Sequence, residues 1–272
     1  MNPVPICIPT YNRPQFLLPV LEALKKCSGL TDFKIVTSEE PDCPETSKLL
    51  EDMLPKMGVN SVRCYNWERL GCAKNVEAAI ERGFHFDTDI VVVVEDDVVL
   101  ARDALQWMRW AARLYQDETR IMAAAAWSHQ VEGYTPTVED LSVTMLDSQF
   151  IAWGYAVTRE RFQEYRWVFD EAVRDKWAWD MKLTMYMPGN LCMVVHPRVS
   201  RAQNIGCEGT GIGSRKFWED NHRVHNFVSD VWPDYPDVQY VPVTEEERAV
   251  GDRAFLLNKP EGVLPLKTRD IT

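Results

Sequence analysis

Several absences narrow the reading of this 272-residue chain before any motif is considered. Its 30 basic residues are outnumbered by 41 acidic ones, for a formal charge of −11. That balance disfavours a general polyanion binder, nucleic acid included, while leaving room for a local basic pocket. No apolar run approaches the ~20 residues of a membrane helix; the longest, Ile90 to Val94, is only strand-sized. The opening "MNPVPICIPTYNRP" lacks the basic region and unbroken apolar segment of a secretory signal, so a soluble, cytoplasmic protein is expected. The seven cysteines, at 7, 27, 43, 64, 72, 192 and 207, form neither a CxxC pair nor a compact metal-ligand spacing. They read as reduced, mostly buried thiols. His222 and His225 stand at helical spacing, but without the glutamate of HExxH or a third nearby ligand they make a weak zinc site. Internal repeats, low-complexity tracts and long linkers are also missing.

What is present is a hydrophobic fraction of 46 %, ample for a core, arranged in alternating strand and helix patterns. "VPICIPT", "FKIVTSEE", "SVRCYNW" and Ile90 to Val94 read as strands. Between them lie helical patterns at Gln15 to Lys26, at "TSKLLEDMLPKMG" with a break near Pro55, and at "CAKNVEAAIERGF". A helix from Asp103 to Tyr115 and an apolar "IMAAAAWS" follow. The β-α-β-α-β-α-β order predicts an α/β fold with a sheet covered on both faces. The second half is different in kind, with aromatic clusters in "WGYAVTRERFQEYRWVF" and "KWAWDMKLTMYM" and with Gly206, Gly209, Gly211 and Gly213 marking a mobile loop.

The stretch "IVVVVEDDVVL" sets Glu95, Asp96 and Asp97 at the end of an aliphatic strand. Acids in that position lie at the carboxyl edge of a parallel sheet, where ligands of open α/β sheets bind, and a hard divalent cation offsets their mutual repulsion. The alternative is that Asp96 or Asp97 caps the following turn with the others solvated. "IPTYNRP" ends the first strand at the same edge, bringing Thr10, Asn12 and Arg13 toward one cleft, or else forms an ordinary turn stiffened by Pro14. Glu39 and Glu40 end the second strand. Lys74 and Asn75 sit near a helix start, suited to a diphosphate or ribose, although Lys74 also reads as a solvated helix residue.

Taken in order, "PICIPTYNRP", "GCAKN" and "VVVVEDDVVL" resemble glycosyltransferases of the GT-A fold. "AAAAWSHQ", "FIAWGYAVTRERF", "KWAWDM", "VVHPRVSRAQNIGCEGTG" and "SRKFWEDNH" extend the resemblance to the inverting N-acetylglucosaminyltransferase I family, including its relatives that act on O-mannosyl glycans. It covers roughly Val4 to Asn226. The resemblance implies a GT-A (Rossmann-like) mixed, mainly parallel sheet flanked by helices. It implies a domain over 1–235, with a nucleotide-binding half to 100 and a metal and acceptor half beyond, and a C-terminal extension over 236–272. The implied activity is transfer of a sugar, best GlcNAc from UDP-GlcNAc, to an acceptor hydroxyl with inversion, using Mn2+ or Mg2+.

Residue roles follow from the same resemblance. Asp97 is the implied direct metal ligand, with Glu95 the weaker one, and Asp96 lies beside the ribose or bound waters. Arg13, Asn75 and Glu40 match nucleotide-contacting positions, Glu40 standing where a shorter acid is usual, and Lys74 assists the diphosphate. Asp180 is the implied base that takes the acceptor proton; the family pattern often has two successive aspartates here, whereas this chain continues with Met181. The alternative for Asp180 is a cap or ion pair with Lys176 or Lys182. Trp153 and Gly154 match the turn that approaches the donor sugar, Ser214 the segment that closes over the diphosphate, and His222 a histidine of that segment; His129 stands near the donor or at the core edge. The compact length and missing anchor depart from the animal Golgi enzymes and favour a soluble bacterial or viral relative, so the acceptor is open among a glycan, a lipid-linked saccharide, a protein and a modified nucleic-acid base. A nucleotidyltransferase should show a glycine-rich basic loop after the first strand, which "TYNRPQF" is not. A non-catalytic carbohydrate-binding protein needs neither Asp97 nor Asp180.

Overall fold

The computed structural model describes residues 2–128, 135–207, 227–228, 235 and 237–244. The first strand, β1 (Val4–Thr10), is buried along its whole length and leads through a polar turn into α1 (Pro14–Lys25). Pro14 starts that helix because its fixed φ and missing N–H cost nothing in the first turn. Then come β2 (Phe33–Glu39), α2 (Pro44–Met53), β3 (Ser61–Tyr65), α3 (Cys72–Phe84) and β4 (Ile90–Val93). The expected break at Pro55 is real: α2 stops at Met53 and a tighter 3-10 turn carries the chain over 54–56. The later elements are β5 (Val98–Leu100), α4 (Ala104–Leu114), β6 (Ile121–Ala125), β7 (Thr144–Asp147), β8 (Tyr155–Thr158), α5 (Arg159–Tyr165), α6 (Trp167–Asp175), α7 (Trp179–Gly189), β9 (Met193–Pro197) and β10 (Ala202–Asn204).

Eight strands form one sheet in the order β3-β2-β1-β4-β8-β6-β9-β7. The pairs β3-β2, β2-β1, β1-β4 and β6-β9 are parallel, whereas β8 runs antiparallel to both neighbours and β7 antiparallel to β9. The mixed, mainly parallel sheet expected from the sequence is thus present, flanked by helices on both faces. Val92 and Val94 belong to the layer under α1, α2 and α4 with Leu17, Leu21 and Trp107. Val91 and Val93 face the opposite layer with Ile80, Phe162 and Phe169. Burial on both faces explains why β4 reads as continuous valine rather than as an alternation.

A separate two-stranded ribbon, β5 against β10, stands next to the acidic turn. It is anchored by Arg201, whose fully buried guanidinium donates through Nε to Asp103 Oδ2 at 2.9 Å and through Nη2 to the Leu141 carbonyl at 2.6 Å. Asp103 also accepts from the hydroxyls of Tyr235 at 2.6 Å and Tyr240 at 3.2 Å. One carboxylate therefore ties the ribbon, the start of α4 and the 235–240 segment together. All seven cysteines are free; Cys7, Cys27, Cys43 and Cys192 are buried and Cys72 is exposed. No helix among the described residues is long and apolar enough to cross a membrane.

Removing Asp103 would leave the Arg201 charge buried without its counter-ion, a class of change that costs about 3–5 kcal/mol. Asp103→Ala is therefore expected to lower the urea unfolding free energy by that amount, and a loss under 1 kcal/mol in equilibrium denaturation would show that the network carries little of the ribbon's stability.

Candidate functional site

Because β1 and β4 are neighbours and parallel, the segments leaving their carboxyl ends meet. Val94 still donates to the Cys7 carbonyl at 3.0 Å; the chain then turns, Val98 N–H donating to the Glu95 carbonyl at 3.1 Å, and enters β5. Glu95, Asp96 and Asp97 occupy that turn at the sheet edge, where a buried strand meets the site.

Arg13 bridges the last two acids. Its Nη1 donates to Asp97 Oδ2 at 2.6 Å and its Nη2 to Asp96 Oδ1. The two carboxylates are 4 % and 5 % exposed, against 29 % for the Arg13 side chain. The remaining oxygens are also engaged: Asp96 Oδ2 accepts from the Tyr11 N–H at 3.2 Å, and Asp97 Oδ1 from Asn204 Nδ2 at 3.4 Å. Asn204, at the end of β10, accepts in turn from the Gly206 N–H at 2.8 Å, and Ile205 N–H donates to the Asp97 carbonyl at 2.8 Å. Gly206 lies so close over Asp97 that a Cβ there would collide with its carboxylate, 2.9 Å from Cγ and 3.1 Å from Cβ. Gly206 thus serves close approach rather than loop freedom, a correction to its reading as a mobile-loop glycine; Gly209, Gly211 and Gly213 lie outside the described residues.

Burial dominates the electrostatics. It pushes the Asp97 carboxyl up to about 6, even though Arg13 pulls the other way, with the charge of Asp96 adding to the rise. Glu95 is raised well above the usual carboxylate range by burial and then by the charges of Asp97 and Asp180. Asp180, in the first turn of α7, accepts from the Met181 N–H at 2.8 Å and is itself raised by burial. Its charge is felt at Glu95 and at Cys72, the first residue of α3. Although part of the Cys72 surface is exposed, the protein around its thiol, then the charges of Glu95 and Asp180, raise it above the ordinary cysteine range, which disfavours a thiolate nucleophile there. Tyr155, Phe150 and Trp179 form an aromatic floor, with ring centroids 5.0 Å apart for Phe150 and Tyr155 and 5.4 Å for Phe150 and Trp179.

The other expected residues divide. Thr10 and Asn75 lie at the same edge but face inward. Asn75 donates to the Thr10 carbonyl at 3.2 Å and accepts from Ser38 Oγ at 2.6 Å and Asn66 Nδ2 at 3.0 Å. Glu40 is buried with Oε1 accepting from the Gly71 N–H at 2.7 Å and Oε2 from the Leu70 N–H at 2.9 Å, which shapes the loop ahead of α3. Lys74 is held between Glu77 at 2.6 Å and Asp170 at 2.5 Å, on the α3–α6 side, and is not brought to the acids. Trp153 packs edge-on against Trp127 at 5.2 Å. Gly154 adopts φ +76° with Leu100 Cδ2 3.1 Å from the position of an added Cβ, so the turn requires glycine. Ser214, His222 and His129 lie outside the described residues. The supports from Tyr11 and Asn204, the close packing of Gly206 and the placement of Cys72 were not foreseen from the sequence; the polar Asn204 in "SRAQNIG" is a signal that could have found one of them.

Hard oxygen donors in a buried acidic turn are the set that Mn2+ or Mg2+ prefers. Among the described residues no group of three or more His, Cys, Asp and Glu is poised around a vacant centre, and the cation between Asp96 and Asp97 is the guanidinium of Arg13. The ligand type and charge fit a divalent ion; Arg13 stands between the two acids.

The mixed, mainly parallel sheet with acids leaving its central strand is the frame expected of a GT-A glycosyltransferase. Residues 2–175 match the model of glycosyltransferase-like family 2, and the chain belongs to that family. A curated relative, the alpha-1,3-mannosyl-glycoprotein 2-beta-N-acetylglucosaminyltransferase of Arabidopsis thaliana, is 27 % identical over 123 residues, 45 % of this chain and 26 % of the relative. The chain therefore matches only about a quarter of that protein's length. Similar solved structures include the mannosyltransferase PcManGT from Pyrobaculum calidifontis in complex with GDP-Man and Mn2+, with TM-score 0.44, 16 % identity, and coverage of 60 % of this chain and 46 % of that one. S. aureus TarS 1–349 gives TM-score 0.47 and 14 % identity over 74 % of this chain and 60 % of that one.

A carboxyl whose folded pKa is raised binds protons more readily in the folded than in the unfolded chain, so its contribution to stability is lost as pH rises through the folded value. Glu95→Gln removes such a group. It is expected to melt at a higher temperature than the parent protein at pH 8, with the gain shrinking toward pH 4; a variant equally or less stable at pH 8 would contradict the burial assigned to Glu95.

Proposed function

We propose that the protein transfers a sugar from a nucleoside-diphosphate donor to an acceptor hydroxyl with inversion at the anomeric carbon, with UDP-GlcNAc as the donor. The observation that carries this reading is the buried acidic turn at the sheet edge together with a separate carboxylate, Asp180 in the first turn of α7, whose charge reaches Glu95. A diphosphate leaving group and an acceptor proton need opposite treatment, the first charge neutralisation and the second a base, and two acidic centres on separate elements supply them.

In this mechanism Asp97, with Glu95 beside it, would hold Mn2+ or Mg2+. The bound ion supplies neutralisation of the charge that develops on the departing diphosphate. Asp180 accepts the proton of the acceptor hydroxyl as its oxygen forms the new bond to the anomeric carbon and the bond from that carbon to the diphosphate oxygen breaks. Trp153 offers an apolar wall to the sugar ring and Gly154 admits the donor close to the backbone. Arg13 provides a cationic partner for the nucleotide, Asp96 faces the ribose, and Ser214 and His222 belong to the segment that the resemblance assigns to closure over the donor, while Lys74, held by Glu77 and Asp170, takes no part. Thr10, Glu40 and Asn75 shape the nucleotide wall, which suits them through the backbone positions they fix. The acceptor is a glycan or another hydroxyl-bearing molecule; the charge of −11 weighs against nucleic acid.

Asp180→Asn is expected to lower sugar transfer by about 10²- to 10⁴-fold while leaving Mn2+-dependent thermal stabilisation by UDP-GlcNAc intact. Activity within tenfold of the parent would remove Asp180 as the base, as would a product of retained configuration. Because Asp180 works as the ionised form and burial raises its pKa, kcat should fall as pH is lowered, with a midpoint above the ordinary aspartate range. A pH–rate profile flat through that range would count against the assignment. Thermal stabilisation by UDP-GlcNAc that persists after chelation would argue against the metal.

A further inference from the structure

Arg13 holds the Asp97 carboxylate that a divalent ion would need and ties it to Asp96. We infer that arginine and metal exclude one another there, so that Arg13 is a built-in counter-ion whose release sets how readily the acids accept a metal. The inference rests on the metal-dependent reading above and adds a positioning role for Arg13 that nucleotide contact alone does not contain.

The geometry carries it in three ways. One guanidinium spans both carboxylates, with Nη1 2.6 Å from Asp97 Oδ2 and Nη2 on Asp96 Oδ1, so a cation drawn to Asp97 competes directly with the first of its bonds and by charge with the second. The other two oxygens are already taken by the Tyr11 N–H and Asn204 Nδ2, and Gly206 packs over Asp97 from the β10 side. An ion that left Arg13 in place would have to share oxygens already committed to these supports, with Gly206 closing one side. Finally, half-buried Arg13 is the most accessible of the trio, at 29 % against 4 % and 5 % for the acids, and is thus the group with a path to solvent.

The Arg13 backbone does not need to move. Its N–H donates to the Tyr11 carbonyl at 3.0 Å, and its carbonyl accepts from Phe16 at 3.1 Å and Leu17 at 3.1 Å, so release is a rotation of the side chain about a fixed anchor. Two buried carboxylates without any cation are strongly disfavoured, which makes the process an exchange of one cation for another rather than the filling of a vacancy. An anion that offers the guanidinium a new partner, as a diphosphate does, relieves the competition. By reciprocity of linked equilibria, that anion and the metal then raise each other's affinity.

The test is Mn2+ binding, followed by electron paramagnetic resonance of the free ion, in the full chain and in Arg13→Gln and Arg13→Lys, first without nucleotide and then with UDP. Without nucleotide, Mn2+ should bind Arg13→Gln at least tenfold more tightly than the parent, with Arg13→Lys between them. UDP should tighten Mn2+ binding more in the parent than in Arg13→Gln. Where Arg13→Gln lowers the apo melting temperature, Mn2+ should raise it by more than it raises that of the parent. Equal or weaker Mn2+ affinity in Arg13→Gln overturns the exchange while leaving the metal-dependent transferase intact. No Mn2+ binding in any protein, with or without UDP, overturns both.

Discussion

The neutralisation of two buried carboxylates by one guanidinium is the interaction on which the ligand edge of this fold depends. Asp96 and Asp97 end a strand buried on both faces, and a charge in that position is tolerated only with a counter-charge and saturated hydrogen bonding. Arg13 provides the charge from the neighbouring parallel strand, Tyr11 and Asn204 the remaining donors. Arg13 and Tyr11 come from the turn after β1 and Asn204 from the end of β10, so the acidic turn that follows β4 gathers three strands into one place. The cost of keeping acids there shows in Glu95 and Asp97, whose carboxyls are pushed upward by burial and by a neighbouring charge, that of Asp97 on Glu95 and that of Asp96 on Asp97. Such tension is typical of groups kept for chemistry rather than for stability.

Behind the acidic turn lies a second polar layer that makes the edge rigid. Glu40 fixes two backbone amides of the loop before α3, and Asn75 joins the ends of β1 and β2. Arg82 reaches the same layer from the far end of α3, donating to Ser38 Oγ at 2.5 Å and Asn66 Oδ1 at 2.7 Å. Residues chosen from the sequence as nucleotide contacts thereby gain a second physical role, holding the backbone against which a nucleotide would rest. A wall built from satisfied buried polar groups is stiff, because moving any member leaves another without a partner.

The N-terminal half was legible in the sequence because its signals are local. Continuous apolar strands, proline-started helices and polar turns mark β1 to β4 without reference to the rest of the chain, and the place of Glu95 to Asp97 at a sheet edge follows from the strand they end. The second half was less so. That β8 inserts antiparallel between β4 and β6, or that "VVL" leaves the sheet to form a ribbon with "AQN", depends on pairings between residues far apart, which no local period encodes. The same limit applied within the site. Arg13 was recognisable as a cation at the right edge, but its bridging of both acids is a matter of two side-chain orientations. Lys74, equally basic and also near a helix start, turns instead toward Glu77 and Asp170.

The central place of β8 has a temporal consequence. The strands β3, β2, β1 and β4 come from the first part of the chain and can pair as a parallel unit as soon as Val93 has been made. One edge of that unit is then β4, a run of valines apolar on both faces, and it stays unpaired until Tyr155–Thr158 arrives to cover it. An uncovered edge of that kind is a template for unwanted pairing with other chains. The strand that leads to the acids is therefore also the one most open to aggregation during synthesis, and how quickly β8 docks governs how much of the newly made protein reaches the folded state.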